Sequence, residues 1–450
     1  MGELSYGFWS AQVNRGDSAN GAEVRSIIDK IQVDSVGDGL NVCVYPSEQY
    51  KTSRIDIFLT IELETRLATQ RALIARLLER GTRALPSLRQ FNQFVDDLFG
   101  ASFDVEIDQV GGNQVIHLSF EVIDDSYLPD NENVLKTAFS FLSDVLMDPA
   151  VEGCPQGFPS AIVEQETNFL RKNIDDLFSD KMAYAQRRCI ELMCENEPYA
   201  IAPYGCRKDL PGQNGLELLS VHKQGLQKNR VDIYVNACAS IENIRQLINE
   251  FFSWDRSYVP KEVQAAAVQQ REPIVHVERG NIRQGKLVCG LRTCISIIDN
   301  EYPALLLFNL LLGADGHSRL YQSLREQHGL CYHISSFIEP LCALQFVEAG
   351  VDAADYMKAC HQIRCQYEEI EKVGPSESEL ESAQVLALHW LSSLNDDREA
   401  LVRFHFQRNL AGVNTSQNDL CEKLLAVQPD DIMRVAKRIV PDTTYFLSNS

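Results

Sequence analysis

The chain has 450 residues, 45% hydrophobic and 23% charged, a composition that suits a packed globular protein of two or three domains of roughly 150 residues each. Its 42 basic and 63 acidic residues leave a formal net charge of −21. A surface this acidic repels phosphate backbones and anionic headgroups, so neither nucleic acid nor membrane is an expected partner.

The opening Met1-Gly-Glu-Leu-Ser-Tyr-Gly-Phe-Trp lacks the basic segment and apolar core of a secretory signal. The longest strongly apolar run, 304–312, is under half a bilayer span and contains Asn309. Thirteen cysteines, odd in number and without a C-x-x-C pair, read as small buried hydrophobes in a reducing compartment. The expectation is a soluble, cytoplasmic protein.

In chain order, alternation predicts strands at 40–45, after the turn Gly37-Asp-Gly, and at 53–61. Leu73, Ile74, Leu77 and Leu78 at helical spacing predict a helix over 69–80, stopped by Gly81-Thr82. A second helix is predicted over 87–98, then strands at 102–108 and 114–122 joined by a turn at Gly111-Gly-Asn. An amphipathic helix follows at 131–147, a long polar helical region at 160–195, a strand at 231–236 and a helix at 241–252. The stretch 253–273, with Pro260, Pro273 and the soft run Val263-Gln-Ala-Ala-Ala-Val-Gln-Gln, is expected to link domains at 1–252 and 274–450. Residues 72–81 align with 304–313 without a gap at an offset of 232, and Gly100-Ala-Ser-Phe with Gly329-Leu-Cys-Tyr at an offset of 229. Each half reads strand, helix, glycine, helix, glycine, strand, so a duplication into two similar α+β domains is expected.

The run Ser318-Arg-Leu-Tyr-Gln-Ser-Leu-Arg-Glu-Gln-His-Gly-Leu-Cys-Tyr332, after a glycine-punctuated loop, closely resembles the C-terminal domain of the insulinase/pitrilysin zinc peptidases. The helix ending in Gly81-Thr82 and the later Pro203-Tyr-Gly extend the resemblance over about 35–445. It implies two insulinase-type α/β sandwich domains, each an antiparallel-rich sheet covered by helices, together forming half of a clamshell. It also exposes a departure. Active relatives carry H-x-x-E-H on the first-domain helix, where two His on one face bind zinc and the Glu activates water. The matching positions here are Ala72, Ala75 and Arg76, and the position of the third ligand, a downstream Glu, falls on Asn173. The resemblance thus implies a degenerate site that holds no metal, and a chain that is no zinc hydrolase by itself.

The other half of the family's active site persists. Its closing domain presents an Arg and a Tyr seven residues apart, here Arg325 and Tyr332. A guanidinium can hold substrate carbonyls, and a phenol can donate to a tetrahedral oxyanion. The bland alternative makes Arg325 a solvated helix residue and Tyr332 a strand core residue. The sequence resembles the zinc-less partner subunits of two-subunit bacterial peptidases, including the kind associated with elongation factor P modification. It implies a heterodimer in which a sibling supplies zinc and general base, this chain supplies Arg325 and Tyr332, and a peptide or leader segment is cleaved. A scaffold protein without peptidase function and a stand-alone peptide-binding module are the rival readings.

Other features are set aside. His317, His328, Cys331 and His333 have no recognised ligand spacing. Gly313-Ala-Asp-Gly lacks the Lys-Ser/Thr of a phosphate loop and reads as a substrate-side loop. No G-x-S-x-G marks a nucleophile, and His389 reads as a packed or interfacial histidine.

Overall fold

The computed structural model describes residues 32–129, 132–149, 157–177, 179–260 and 272–448, with side chains from 37 onward. Residues 1–31 of the expected first domain and 261–271 of the expected linker lie outside the described residues. The fold is α+β, organised as two compact units. Among the described residues no helix is long and apolar enough to cross a membrane.

The first half of the chain runs β1 (Gln32–Gly37), β2 (Leu40–Pro46), β3 (Thr52–Glu62), α1 (Ala68–Leu78), α2 (Leu88–Asp97), β4 (Ser102–Val110), β5 (Asn113–Ile123), α3 (Val134–Met147), α4 (Ser160–Leu177), α5 (Lys181–Met193), α6 (Gly215–Lys228), β6 (Arg230–Ala237) and α7 (Ile241–Phe251). The sheet has the order β1-β2-β6-β3-β5-β4, with β2 parallel to β6 and the other neighbours antiparallel. Its central strands obey the period of two. Ile55, Ile57 and Leu59 of β3 join the core built with α1 and α3, while Asp56 and Phe58 point to the other face. There Phe58 stacks on His117, and His117 Nε2 lies 2.8 Å from Asp56 Oδ1.

The second half runs β7 (Ile274–Arg279), β8 (Gly285–Arg292), α8 (Tyr302–Asn309), two π-helical segments (Leu310–Ala314 and Tyr321–Gln327), β9 (Cys331–Glu339), β10 (Leu344–Val351), α9 (Tyr356–Val373), α10 (Glu377–Ser393), α11 (Arg398–Leu410), α12 (Gln417–Ala426), α13 (Pro429–Arg438) and β11 (Val440–Ser448). Its sheet order, β7-β11-β8-β10-β9, repeats β2-β6-β3-β5-β4 strand for strand, including the parallel pair at one end. Helices α1 and α8 fill the same place between second and third strands of the repeat. The duplication read from the aligned glycines is therefore present in the topology, with β1 as an addition.

Among the described residues the two units are not each a single run of chain: Leu177–Ala200 clusters with the second unit, and the first comprises 32–176 and 201–260. The physical reason is the apolar stripe Ala185, Cys189, Ile190 and Met193 of α5, which packs with Val288, Leu344, Phe346 and Tyr445. Tyr445 and Leu447 face α5, whereas Phe446 faces the other side of the sheet and stacks on Tyr356 of α9 at 4.5 Å. Buried Arg292 fastens the end of α5. It donates to Met193 O at 2.9 Å, to Glu197 at 2.6 Å and to Asp442 at 3.1 Å. The expected helical region 160–195 is accordingly two helices, and Asp180 starts the second by accepting the backbone N–H groups of Met182 and Ala183. Strand β1 and helix α6 were not expected.

One half-buried carboxyl gives the second unit a pH dependence. Glu339, the last residue of β9, accepts the Leu341 N–H at 3.2 Å, and partial burial pushes its pKa up to about 7 from 4.5. Ionising it costs more in the folded state than in the unfolded one. The folded state therefore loses stability as pH rises from about 4.5 to 7, by about 3 kcal/mol in all, and stays at the lower level above. Glu339→Gln keeps an acceptor for Leu341 without the charge. Denaturant unfolding should show it about 2–3 kcal/mol more stable than the parent at pH 8 and indistinguishable at pH 4. An equal difference at both values would refute this account.

Candidate functional site

Helix α1 is built from good helix formers, Ala, Leu, Arg and Gln, and its start is held by three side chains. Arg71 donates to Glu62 O at 2.8 Å, and Gln114 donates to Ala68 O at 2.9 Å and to Pro203 O at 2.6 Å. Thr69 Oγ1 accepts the Cys206 N–H at 3.0 Å. The last contact needs glycine at 205: its φ is +76°, and a Cβ there would lie 2.1 Å from Thr69 Oγ1. The Pro203-Tyr-Gly loop thus seats the helix that carries the degenerate positions.

Ala72 and Ala75 are each 1% exposed and belong to the hydrophobic core. Neither offers a lone pair, and the guanidinium of Arg76 is a donor only. Instead Arg76 Nε donates to Glu166 Oε2 of α4 at 2.6 Å, and Arg80 donates to the other oxygen of the same carboxylate. Glu166 is fully buried, and Phe169, one turn on, lies beneath the Arg76 guanidinium at 3.9 Å. Asn173, two turns along α4 from Glu166, is half-buried. Asn173 is thus about 10 Å along the helix from the α4 side chain that meets Arg76, the Glu166 carboxylate, so the expected placement of the third ligand position on Asn173 is not matched. Two alanines and a guanidinium still offer no lone pair to zinc, and the buried negative charge is matched by arginine. Beside this cluster, burial and then Asp104 push Glu79 up to about 7.

Glu166, Arg80 and Phe169 were missed in the sequence. The signal was present: Glu166 sits in the apolar stripe Val163, Thr167, Leu170 and Ile174, where a carboxylate requires a cationic partner.

In the second unit, Arg325 lies in the second π-helical segment and Tyr332 near the start of β9. Tyr332 is 82% exposed, which rules out the strand-core reading, and Cys331 beside it is buried. Arg325 is 43% exposed, with its guanidinium 4.7 Å from the centre of the Tyr321 ring. The connection is tightly folded. His328 N–H and Nδ1 both donate to Ser323 O, at 3.1 and 2.8 Å, and Leu330 N–H donates to Leu324 O at 2.8 Å. Gly329, at φ +61°, makes the reversal. The loop before it is anchored as well. Arg319 donates to Glu379 at 2.8 and 3.0 Å and to Gly374 O at 3.1 Å, tying the loop to the start of α10. Burial raises the Glu379 pKa, but Arg319 and the Ser376 N–H and hydroxyl outweigh it and hold it at about 2. Below, a buried network of Asn309, Ser336, Gln345 and Tyr367 ties β9 to α8 and α9. Two exposed polar groups are thus presented from a well-braced helix-to-strand connection.

The features set aside earlier stay aside. Among the described residues, the one His/Cys/Asp/Glu group with chelating geometry is Glu106, Asp108 and His117 on β4 and β5, not the His317–His333 neighbourhood. His117 is already committed to Asp56, and all three have other interactions. His389 is exposed on α10 rather than packed.

Residues 216–385 match the family model described as the Peptidase M16 inactive domain. Over 412 residues, 92% of this chain and 96% of the relative, the sequence is 28% identical to the Bacillus subtilis protein named probable inactive metalloprotease YmfF. Among solved structures, a conserved protein from Enterococcus faecalis matches with a TM-score of 0.85 at 23% identity, over 93% of this chain and 99% of that one. A peptidase M16 inactive domain structure from Pseudomonas fluorescens matches with a TM-score of 0.78 at 15% identity, over 94% and 98%. The two structural likenesses speak for the fold.

Proposed function

Because the chain is an insulinase-type (M16) peptidase homologue without the zinc motif, we propose that it is the non-catalytic, substrate-binding subunit of a heterodimeric cytoplasmic metallopeptidase. A zinc-bearing sibling supplies the metal and the general base. This chain supplies Arg325 and Tyr332 in trans and half of the chamber in which a peptide or leader segment is cleaved. The observation that carries the reading is the contrast between the two sites. The zinc-motif positions hold Ala72, Ala75 and an Arg76 paired to Glu166, while Arg325 and Tyr332 stand exposed on a helix-to-strand connection that follows the loop held by Arg319. A protein kept only as a scaffold has no use for a solvent-facing phenol held in this way.

The test is recovery of the tagged native protein with whatever accompanies it, followed by mass spectrometry and zinc analysis. A stoichiometric partner carrying H-x-x-E-H, with about one zinc per pair, is expected. A metal-free monomer or homodimer would remove the heterodimer and leave the scaffold or the peptide-binding module.

A further inference from the structure

We infer that Arg76, Arg80 and Phe169 form a binding site for a peptide carboxylate, either an acidic side chain or a C-terminus. Arg76 commits only Nε to Glu166, at 2.6 Å, and among the described residues its Nη1 and Nη2 have no protein partner. These two atoms carry the parallel N–H pairs that match a carboxylate in bidentate fashion. Their direction is fixed, since the Nε bond to a fully buried carboxylate sets one edge of the guanidinium and the Phe169 ring, 3.9 Å away, covers one face. Phe169 is itself 49% exposed and Arg76 26%, so an incoming chain can reach both.

Arg80 spends one Nη2 on the same Glu166, and among the described residues its Nε and Nη1 are unpartnered. Two guanidinium charges therefore face one buried carboxylate. Of the other charges beside them, Asp104 is exposed to solvent, and Glu79, pushed up to about 7 chiefly by burial, is partly neutral at neutral pH. Within the ion-paired cluster itself the two guanidiniums exceed the one buried carboxylate by one positive charge. Glu79 and Asp104 offset it only in part, one being partly neutral and the other screened by solvent. The site lies within the first unit and needs no zinc-bearing partner, so it stands or falls separately from the heterodimer.

The test uses the full chain and three Gly/Ser nonapeptides in titration calorimetry at pH 7. One has a central Glu and blocked ends, one a central Gln and blocked ends, and one a central Gln and a free C-terminal carboxylate. The Glu peptide or the free-carboxylate peptide should bind at least about tenfold tighter than the blocked Gln peptide, and the winner identifies the source of the anion. Arg76→Lys retains the pairing charge for Glu166 without the fork, and should cut that preference to about threefold or less without changing the blocked Gln peptide's affinity. Should Arg76→Lys fail to fold, Phe169→Ala, at an exposed position, should lower the preference in the same direction. Equal binding of all three peptides, no binding at all, or a preference that survives the substitution would overturn the site.

Discussion

In the proposed complex with a zinc-bearing sibling, Arg325→Ala combined with Tyr332→Phe is expected to lower peptide turnover by about 10²–10³-fold. The magnitude is that of removing a preorganised donor from an oxyanion together with a guanidinium clamp. The two roles separate in the single variants. Tyr332→Phe deletes one hydroxyl from a side chain that is 82% exposed, so it should lower kcat and leave KM nearly unchanged. On the proposed role the Arg325 guanidinium grips substrate before reaction, so Arg325→Ala should raise KM as well. Neither change touches the core, since Arg325 rests on the surface of the Tyr321 ring and Tyr332 faces solvent. Unfolding should stay within about 0.5 kcal/mol of the parent, which keeps lost turnover from being mistaken for lost structure. Near-normal turnover in the double variant would leave this chain a scaffold only.

The segment that carries Arg325 and Tyr332 and the arginine cluster were unequally legible in the sequence. Residues 318–332 could be recognised because glycines, the Arg and the Tyr occur at fixed spacing, and the structure adds what spacing cannot convey. Arg319 reaches across to Glu379, and two π-helical segments flank the loop they brace. Missing ligands were equally legible, since alanine has no donor atom in any conformation. What replaced them was not. The pairing of Arg76 and Arg80 with Glu166 spans 90 and 86 residues, and no local period encodes it.

The same limit applies to the fold. Strands β2 to β6 alternate and were readable, whereas β1 is six residues of mixed polarity. Helix α5 announces an apolar stripe through Ala185, Cys189 and Met193, yet nothing local says which sheet that stripe will meet. Its docking on β8 and β11 makes a domain boundary that looks like a simple linker discontinuous.

Breaking and replacing the Arg76–Glu166–Arg80 cluster should have opposite consequences. Arg76→Ala with Arg80→Ala leaves a carboxylate that is 0% exposed without its two cations, and should cost about 3–5 kcal/mol. Glu166→Met alone leaves two guanidiniums that are 26% and 18% exposed and able to hydrate, so its cost should be smaller, about 1–2 kcal/mol. Changing all three residues to Met removes every charge together and should return stability to near or above that of the parent. Two-unit proteins need not unfold in one step, so hydrogen exchange across α1 and α4 is the readout, with the second unit as internal reference. A loss below about 1 kcal/mol in the double alanine variant would mean that water reaches Glu166 and that the arginines are not what keeps its charge buried. If the triple Met variant is stable, stability alone does not require these charges at this position. The carboxylate-binding role can then be tested in that same variant, because a folded chain without the fork should have lost its preference for the anionic peptides.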